Sequence, residues 1–248
     1  MAQYIHLFDT ASEFNEAYNG SSYIEPWVSL TEQTQEVHYN KPVLNYVEIG
    51  GIKWAKKNLG ATAITDYGKY YAWADIQGYT FGQVGIDKSF TEQDYIYGPV
   101  NWREKPDYGI TKYNTQDGKT TIEPSDDSAT QELGEKWRIP TNTEFYSLMN
   151  EVYTAWTSDY EGSGVAGVVC TDKSDSSKVL FFPAAGYATY GRVSDNGING
   201  NYWSSDTGSG SMMGFAYYLF FNTSSASFRT RSDNYRYQGQ SIRPILDE

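Results

Sequence analysis

The stretch WRIPTNTEFYSLMNEV, residues 137–152, carries the clearest secondary-structure signal in the chain. Pro140 precedes Thr141, and Glu144 follows Thr141 by three residues, which is the spacing of a helix-capping box. The pattern predicts an amphipathic helix over residues 142–152. Its apolar stripe is expected at positions i, i+3, i+4 and i+7, namely Phe145, Leu148, Met149 and Val152.

Short strand-like runs surround this helix, each bounded by glycine, proline or polar residues. A shorter helix is predicted over residues 129–133, with Asp126 or Asp127 as its cap and Gly134 as its stop. Residues 76–124 are polar and predict a long loop with little regular structure. Short strands, long loops and two helices indicate an α+β fold. The strand-like runs are residues 43–49, 52–55, 70–74, 167–170, 179–182, 202–204, 215–221, 226–229 and 241–244.

The first 42 residues form a segment of different character, and the strand-like pattern begins only at Val43. Thr10 and Glu13 have capping-box spacing and Gly20 is a suitable stop, so a short helix is expected between them. We interpret residues 1–42 as an N-terminal arm or attachment segment. Residues 43–248 then form one domain, which is an ordinary size for a single core.

The net charge of the chain indicates which classes of partner it can bind. The formal net charge is −12 and the isoelectric point is about 4.6. An acidic surface repels nucleic-acid phosphates and anionic lipid headgroups, so we expect no nucleic-acid partner. No apolar run approaches the roughly 20 residues of a spanning helix, and the first residues lack a signal-peptide pattern. We therefore expect no membrane insertion.

Residue types that carry catalysis are scarce. Cys170 is the single cysteine, it ends an apolar run, and we expect it to be an inert core residue. Both histidines, His6 and His38, lie in the arm, so no Ser/His/Asp or Cys/His set can be assembled in the domain. No metal-ligand spacing and no phosphate-binding loop occur. These observations predict a protein that is not an enzyme and that uses no cofactor and no metal.

The stretch from Ser211 to Gln238 is rich in Tyr, Phe, Ser, Asn and Arg, and Lys and Glu are absent from Asn201 through Asp247. Paratopes have this composition, because tyrosine gives large contact area at low entropy cost while serine and asparagine give adaptable hydrogen bonds. The alternative interpretation is that this stretch is only an aromatic sheet with polar loops and has no binding role. Strand alternation assigns Tyr217, Leu219 and Phe221 to the core and leaves Phe215, Tyr218 and Phe220 for the surface, although Phe215 shares the parity of the core set. The predicted ligand-contacting residues are Phe215, Tyr218, Phe220, Ser224, Ser225, Ser227, Arg229, Arg231, Asp233, Tyr235 and Tyr237.

Six blocks of the chain follow one another in a characteristic order. They are residues 47–60 (VEIGGIKWAKKNLG), 66–73 (DYGKYYAW), 137–145 (WRIPTNTEF), 181–187 (FFPAAGY), 200–205 (GNYWSS) and 239–244 (GQSIRP). Together they resemble the Fibrobacter succinogenes major paralogous domain over about four-fifths of the length. That family is similar to C-type lectins in fold, so the resemblance implies a C-type-lectin-like domain in which the tryptophans of these blocks are core and Arg138 and Arg243 anchor turns or ion pairs.

Residues 200–244 also resemble the variable region of proteins diversified by retroelements in gut Bacteroidetes and their phages. The resemblance implies adenine-directed variation on one exposed face that binds a receptor, as in phage tail-tip adhesins, and trimers or other homo-oligomers are common there. It leads us to expect a phage receptor-binding or virion-surface protein whose partner is an unknown protein or glycan on a cell surface. The alternatives are a fixed-specificity bacterial surface or fimbrial adhesin and, less well supported, an enzyme of the formylglycine-generating type, which needs paired cysteines.

Calcium-dependent sugar binding does not match the residues present. Lectins of this fold use Glu-Pro-Asn or Gln-Pro-Asp followed downstream by Trp-Asn-Asp, whereas this chain has Glu123-Pro124-Ser125, and Ser204 and Ser205 follow Trp203. Two oxygen ligands are therefore missing from the pattern, and calcium requires roughly six to eight.

Overall fold

The computed structural model describes residues 45–104, 107–208 and 214–247. Every described residue belongs to one unit of the chain, Asn40–Glu248. The predicted arm, residues 1–42, and its short helix lie outside the described residues. The described part is a mixture of small antiparallel sheets and helices, which confirms the predicted α+β class.

Both predicted helices are present among the described residues. Helix α1 is Ser128–Leu133, and the Asp127 carboxylate accepts hydrogen bonds from the first-turn amides. Helix α2 is Asn142–Glu151, and its capping box is formed by Thr141 and Glu144 as the spacing indicates. Phe145 and Leu148 form the buried part of its apolar face. No helix in the described ranges is long and apolar enough to cross a membrane.

The described residues form twelve strands. The strands are β1 Tyr46–Ile49, β2 Ile52–Ala55, β3 Trp137–Arg138, β4 Val152–Thr157, β5 Gly167–Asp172, β6 Val179–Pro183, β7 Tyr187–Thr189, β8 Arg192–Ser194, β9 Asn199–Thr207, β10 Phe215–Asn222, β11 Ser225–Tyr235 and β12 Ile245–Leu246. They form four small sheets, whose orders are β1-β2-β12-β3, β11-β10-β9, β4-β5-β6 and β7-β8. Every strand pair within them is antiparallel.

Several strand predictions are corrected. The run at residues 70–74 forms only single bridges, Tyr70 to Tyr79 and Tyr71 to Gln240, and is not a strand. The C-terminal strand lies at Ile245–Leu246 and not at residues 241–244. Strands β3, β4, β7 and β8 were not predicted, because two- and three-residue strands have too few positions to show alternation and β4 continues directly from a helix.

Strands β9 and β10 are covered on both faces, whereas β11 has one face open to solvent. Leu219 and Phe221 on one face pack with helix α2 and the β4-β5-β6 sheet. Ala216 and Tyr218 on the other face pack with Trp203 and with residues of the long 76–124 loop. The sheet is therefore the centre of the fold and a rigid support for whatever its edge displays. The four tryptophans that were predicted to be core are all buried, namely Trp54, Trp73, Trp137 and Trp203.

Candidate functional site

The C-terminal hairpin of β10 and β11 contains ten of the eleven predicted ligand-contacting residues, and Tyr237 lies two positions beyond the end of β11. Its turn is closed at Asn222, whose side-chain oxygen accepts a hydrogen bond from the Ser225 amide at 2.9 Å. Strand β11 is the outer strand of the sheet and pairs only with β10. Its outer edge therefore has no partner strand among the described residues.

Exposure alternates along β11, as it must for a strand with one covered face. The exposed positions are Ser227, Arg229, Arg231 and Asp233, and Phe228 between them is buried. We call these four exposed residues, together with half-buried Phe220 on β10, the arginine face. Ser224 in the turn is exposed and Ser225 is half-buried. The predicted exposure is confirmed for the five exposed positions and only in part for Phe220 and Ser225, while the contact of all of them with a ligand stays a prediction.

Arg231 is held in place by its neighbours. It forms an ion pair with Asp233, and its Nε lies 3.1 Å from the Asp233 Oδ1. The Tyr218 hydroxyl donates to the same oxygen at 2.7 Å, and the Arg231 guanidinium lies 5.2 Å from the Phe220 ring centroid. The hydrogen bond from Arg231 lowers the pKa of Asp233, so the carboxylate stays charged. The result is a preorganised charged and aromatic patch.

Arg229 is the available cation of this face. It is the cross-strand partner of Phe220 and is exposed. No ion pair or hydrogen bond joins its guanidinium to another side chain within the described ranges. An exposed guanidinium without a partner can donate up to five hydrogen bonds to an incoming acceptor group.

Two of the predicted contact residues are wrongly assigned to the surface. Tyr218 is 3% exposed and Tyr237 is 2% exposed. Tyr218 is covered because the 76–124 loop packs Tyr113 and Ile122 into the same cluster. Tyr237 lies in a separate cluster around Phe90, which the same loop supplies. The strand period identifies two faces, but it does not show that a distant loop covers the second one.

Beyond the arginine face, aromatic side chains form a continuous row. Ring centroids are 4.5 Å apart for Trp102 and Tyr235, 4.8 Å for Phe215 and Tyr235, 5.3 Å for Tyr235 and Tyr237, and 6.4 Å for Tyr237 and Tyr190. Phe215, Tyr235 and Trp102 are half-buried, and Tyr190 is exposed. We call these five residues the aromatic row. Phe215 and Tyr235 were predicted members of the site, whereas Trp102 and Tyr190 were not.

Glu92 joins one end of this row. Its Oε1 accepts hydrogen bonds from the Tyr190 hydroxyl at 2.7 Å and from the Tyr237 hydroxyl at 3.2 Å. Partial burial alone would raise the pKa of Glu92, but hydrogen bonds from these tyrosines and from Trp102 hold it below its ordinary value. The sequence offered no signal for Glu92 or Trp102, because both lie in the irregular loop and reach the hairpin only through the tertiary fold.

The arginines of the C-terminal region divide into exposed and structural ones. Arg236 is fully buried, although its place between Tyr235 and Tyr237 gave it the same compositional signature as Arg231. Arg243 is also fully buried, and its guanidinium donates to Asn58 and to backbone carbonyls, as expected of an anchor. Arg138 forms ion pairs with Glu144 and Asp247, again as predicted, namely at 2.6 Å and 2.7 Å.

The described residues offer little reactive chemistry. No group of three or more His, Cys, Asp or Glu in them could hold a metal ion. Cys170 is buried, and burial raises the pKa of its thiol far above the ordinary range. Two open cavities of about 640 and 470 Å³ lie elsewhere, one around Glu104, Asp107 and Asn114 and the other around Asp66 and Phe81. The hairpin and the loops beside it present one face with two arginines and one row of aromatic rings.

Comparison with known families matches residues 170–245 to a domain of unknown function, DUF8237. The matched part includes every predicted ligand-contacting residue and extends from within β5 to β12. Comparisons with curated proteins and with solved structures return no match.

Proposed function

We propose that this protein is a ligand-binding protein that presents the arginine face of its C-terminal hairpin to a receptor on another cell. The observation that carries the proposal is the contrast along β11. Ser227, Arg229 and Arg231 face solvent beside Phe220, while the residues behind them belong to a packed core. A rigid support with variable chemistry on one face suits recognition, because little conformational entropy is lost on binding.

The proposal includes a C-type-lectin-like fold and diversification of the hairpin by a retroelement. Two observations support this proposal. The described residues form small antiparallel sheets and two helices, which is the general arrangement of that fold. The stretch that resembles variable regions, residues 200–244, includes the strand with the exposed residues. We place the protein on a virion, as a phage receptor-binding protein, with a protein or glycan on the host surface as its partner.

Nucleotide sequences of this locus in sister genomes test the diversification. We expect substitutions at adenine-bearing codons for Ser224, Ser227, Arg229 and Arg231, with a reverse transcriptase and a near-identical template repeat nearby. Codons for residues that face the core, such as Leu219 and Phe228, should not change. Substitutions spread evenly over both faces would reject a diversified surface. An invariant hairpin would instead indicate a fixed-specificity bacterial adhesin.

Binding to intact bacteria tests the face directly. Fluorescently labelled protein is incubated with a panel of gut Bacteroidetes isolates and measured by flow cytometry. A variant with Arg229→Ser and Arg231→Ser should keep its melting temperature and lose at least tenfold in binding. Arg192→Ser is the matched control, because Arg192 is an exposed arginine on another hairpin. Equal binding by both variants would show that the arginine face does not contact the ligand.

A further inference from the structure

A two-residue turn joins β7 to β8 and places a bulky residue in an unfavourable backbone conformation. Thr189 pairs with Arg192, so Tyr190 and Gly191 are the two turn residues. Both have positive φ, 46° and 74° respectively. Turns of this kind favour Asn-Gly, because asparagine tolerates the left-handed region while an aromatic residue does not. A tyrosine at the first turn position therefore works against local stability.

The strained tyrosine is largely displayed to solvent, and its ring contacts the edge of the core at Tyr237. Tyr190 is 57% exposed. The turn is anchored by the Gly191 amide, which donates to the Ser89 carbonyl at 2.8 Å, so the backbone would stay in place without the phenol ring. Strained residues that the fold does not need concentrate at functional sites.

Tyr190 is also the exposed end of the aromatic row, and its hydroxyl is fixed by Glu92. The row thus offers apolar ring surface beside a carboxylate that already accepts from two phenols. We propose that Glu92 and the aromatic row, with the exception of its buried member Tyr237, bind a neutral carbohydrate. Sugar rings carry a face of C–H groups that stacks on aromatic rings, and their hydroxyl groups donate to carboxylates. Trp102 and Tyr235 provide the stacking surface, and Tyr190 with Glu92 orients the hydroxyls.

The negative charge of the site indicates which classes of ligand it can bind. Glu92 disfavours acidic sugars and phosphorylated ligands, and the molecule as a whole has a net charge of −12. The rings of Tyr235 and Tyr237 are nearly parallel, at 13°, so they stand beside one another and do not enclose a cation as a cage would. No cluster of metal ligands exists in the described ranges, so binding is expected without calcium.

The site and the arginine face adjoin on β11, where Asp233 lies two positions before Tyr235, but their centres are apart. Phe215 and Tyr235 pair at the end of the hairpin opposite to its turn, whereas Phe220 and Arg229 pair nearer the turn. Phe220 lies five positions after Phe215 on β10, which is about 17 Å along a strand. Carbohydrate binding and the binding of cells by the arginine face can therefore fail independently.

A glycan array of neutral plant, yeast and mucin oligosaccharides tests the inference, with and without EDTA. We expect at least one glycan to bind in both conditions. Tyr190→Asn should raise the melting temperature, because the turn becomes favourable, and should weaken glycan binding at least tenfold. Trp102→Ala should weaken it as well. Tyr153→Thr is the matched control, since Tyr153 is 67% exposed on β4, and it should bind as the parent does.

Three results would overturn the inference. The first is an array on which no glycan binds. The second is a Tyr190→Asn protein that binds glycan as tightly as the parent. The third is a pair of results, in which the Arg229→Ser, Arg231→Ser variant no longer binds glycan while the Tyr190→Asn variant still does. The sugar would then lie on the arginine face. Since Tyr190→Asn is expected to be more stable than the parent, loss of binding cannot be attributed to unfolding.

Discussion

Replacing Arg236 with methionine removes a buried cation that joins the C-terminal hairpin to the long loop. Its guanidinium donates to the Phe215 carbonyl at 3.2 Å, to the Tyr113 carbonyl at 2.9 Å and to the Thr207 hydroxyl. It also stacks over the Trp73 ring at 4.6 Å. Burial lowers the pKa of Arg236, which means that the fold holds this charge against its own desolvation.

The expected loss follows from these contacts. The Phe215 carbonyl keeps a second donor, the Gly208 amide, but the Tyr113 carbonyl loses the guanidinium donor. A hydrogen bond from a charged group contributes about 1.5–3 kcal/mol, and an orphaned buried acceptor costs about 1–3 kcal/mol. Methionine restores the apolar contact with Trp73 and removes the desolvation of the charge. The net decrease in the free energy of unfolding should be about 3 kcal/mol.

Urea denaturation followed by tryptophan fluorescence measures this decrease. With a slope of about 2 kcal/mol per molar, the midpoint should fall by about 1.5 M. Arg229→Met is the matched control, because Arg229 is exposed on the same hairpin, and surface substitutions usually change stability by less than about 0.5 kcal/mol. If both variants shift the midpoint equally little, Arg236 does not hold the loop against the hairpin and its burial contributes nothing.

Three further outcomes are expected. Glu144→Gln should lower stability at neutral pH by about 1–2 kcal/mol. Burial would raise the pKa of Glu144, but the hydrogen bond from Arg138 holds that pKa below its ordinary value of 4.5. The stability that Glu144 contributes is therefore present above pH 4.5 and is lost as the pH falls through the pKa of the folded state. The urea midpoints of variant and parent should converge at acid pH, and a constant difference between them would contradict the assignment. Tyr218→Ala should cost about 3 kcal/mol in the same assay, whereas a surface tyrosine would cost less than about 1. Cys170 should react with thiol reagents only in denaturant, and labelling of the native protein would show that it is not buried.

Local signals were enough to predict the helices from the sequence. The side chains of Thr141 and Glu144 satisfy backbone donors within their own turn, and Asp127 does the same for α1. Such hydrogen bonds connect residues two or three positions apart, so they are visible in the order of residues alone. Tryptophan burial was equally predictable, because so large an apolar surface is costly to leave in water.

The candidate site was only partly predictable, because its boundaries are set by distant packing. Alternation correctly separates Leu219 and Phe221 from the opposite face of β10, but the burial of Tyr218 depends on Tyr113, which is over 100 residues away in the chain. Irregularities in the pairing of β10 with both neighbours further shift which residues lie opposite each other. No periodicity within the hairpin carries that information.

Composition has a similar limit, and the arginines illustrate it. Arg231 and Arg236 lie five positions apart in one stretch that is rich in tyrosine, serine and asparagine, so composition does not distinguish them. One is exposed and held by Asp233, while the other is buried among carbonyl groups. A guanidinium suits both environments, because it is weakly hydrated and has donors enough for several acceptors. Arginine enrichment therefore indicates a surface only where a strand edge or loop leaves the side chain uncovered.

The hairpin consequently has three parts along one pair of strands. Its turn half displays the arginine face, its other half supports the aromatic row, and Arg236 just beyond β11 ties both to the loop that carries Trp102 and Glu92. Variation of Arg229 or Arg231 would change the charge of the first part without disturbing the other two, because neither side chain supports the core. Variation at Arg236 would instead loosen the loop and the aromatic row together. A diversified protein of this architecture can thus change one recognition surface freely only if the position of Arg236 is excluded from the change.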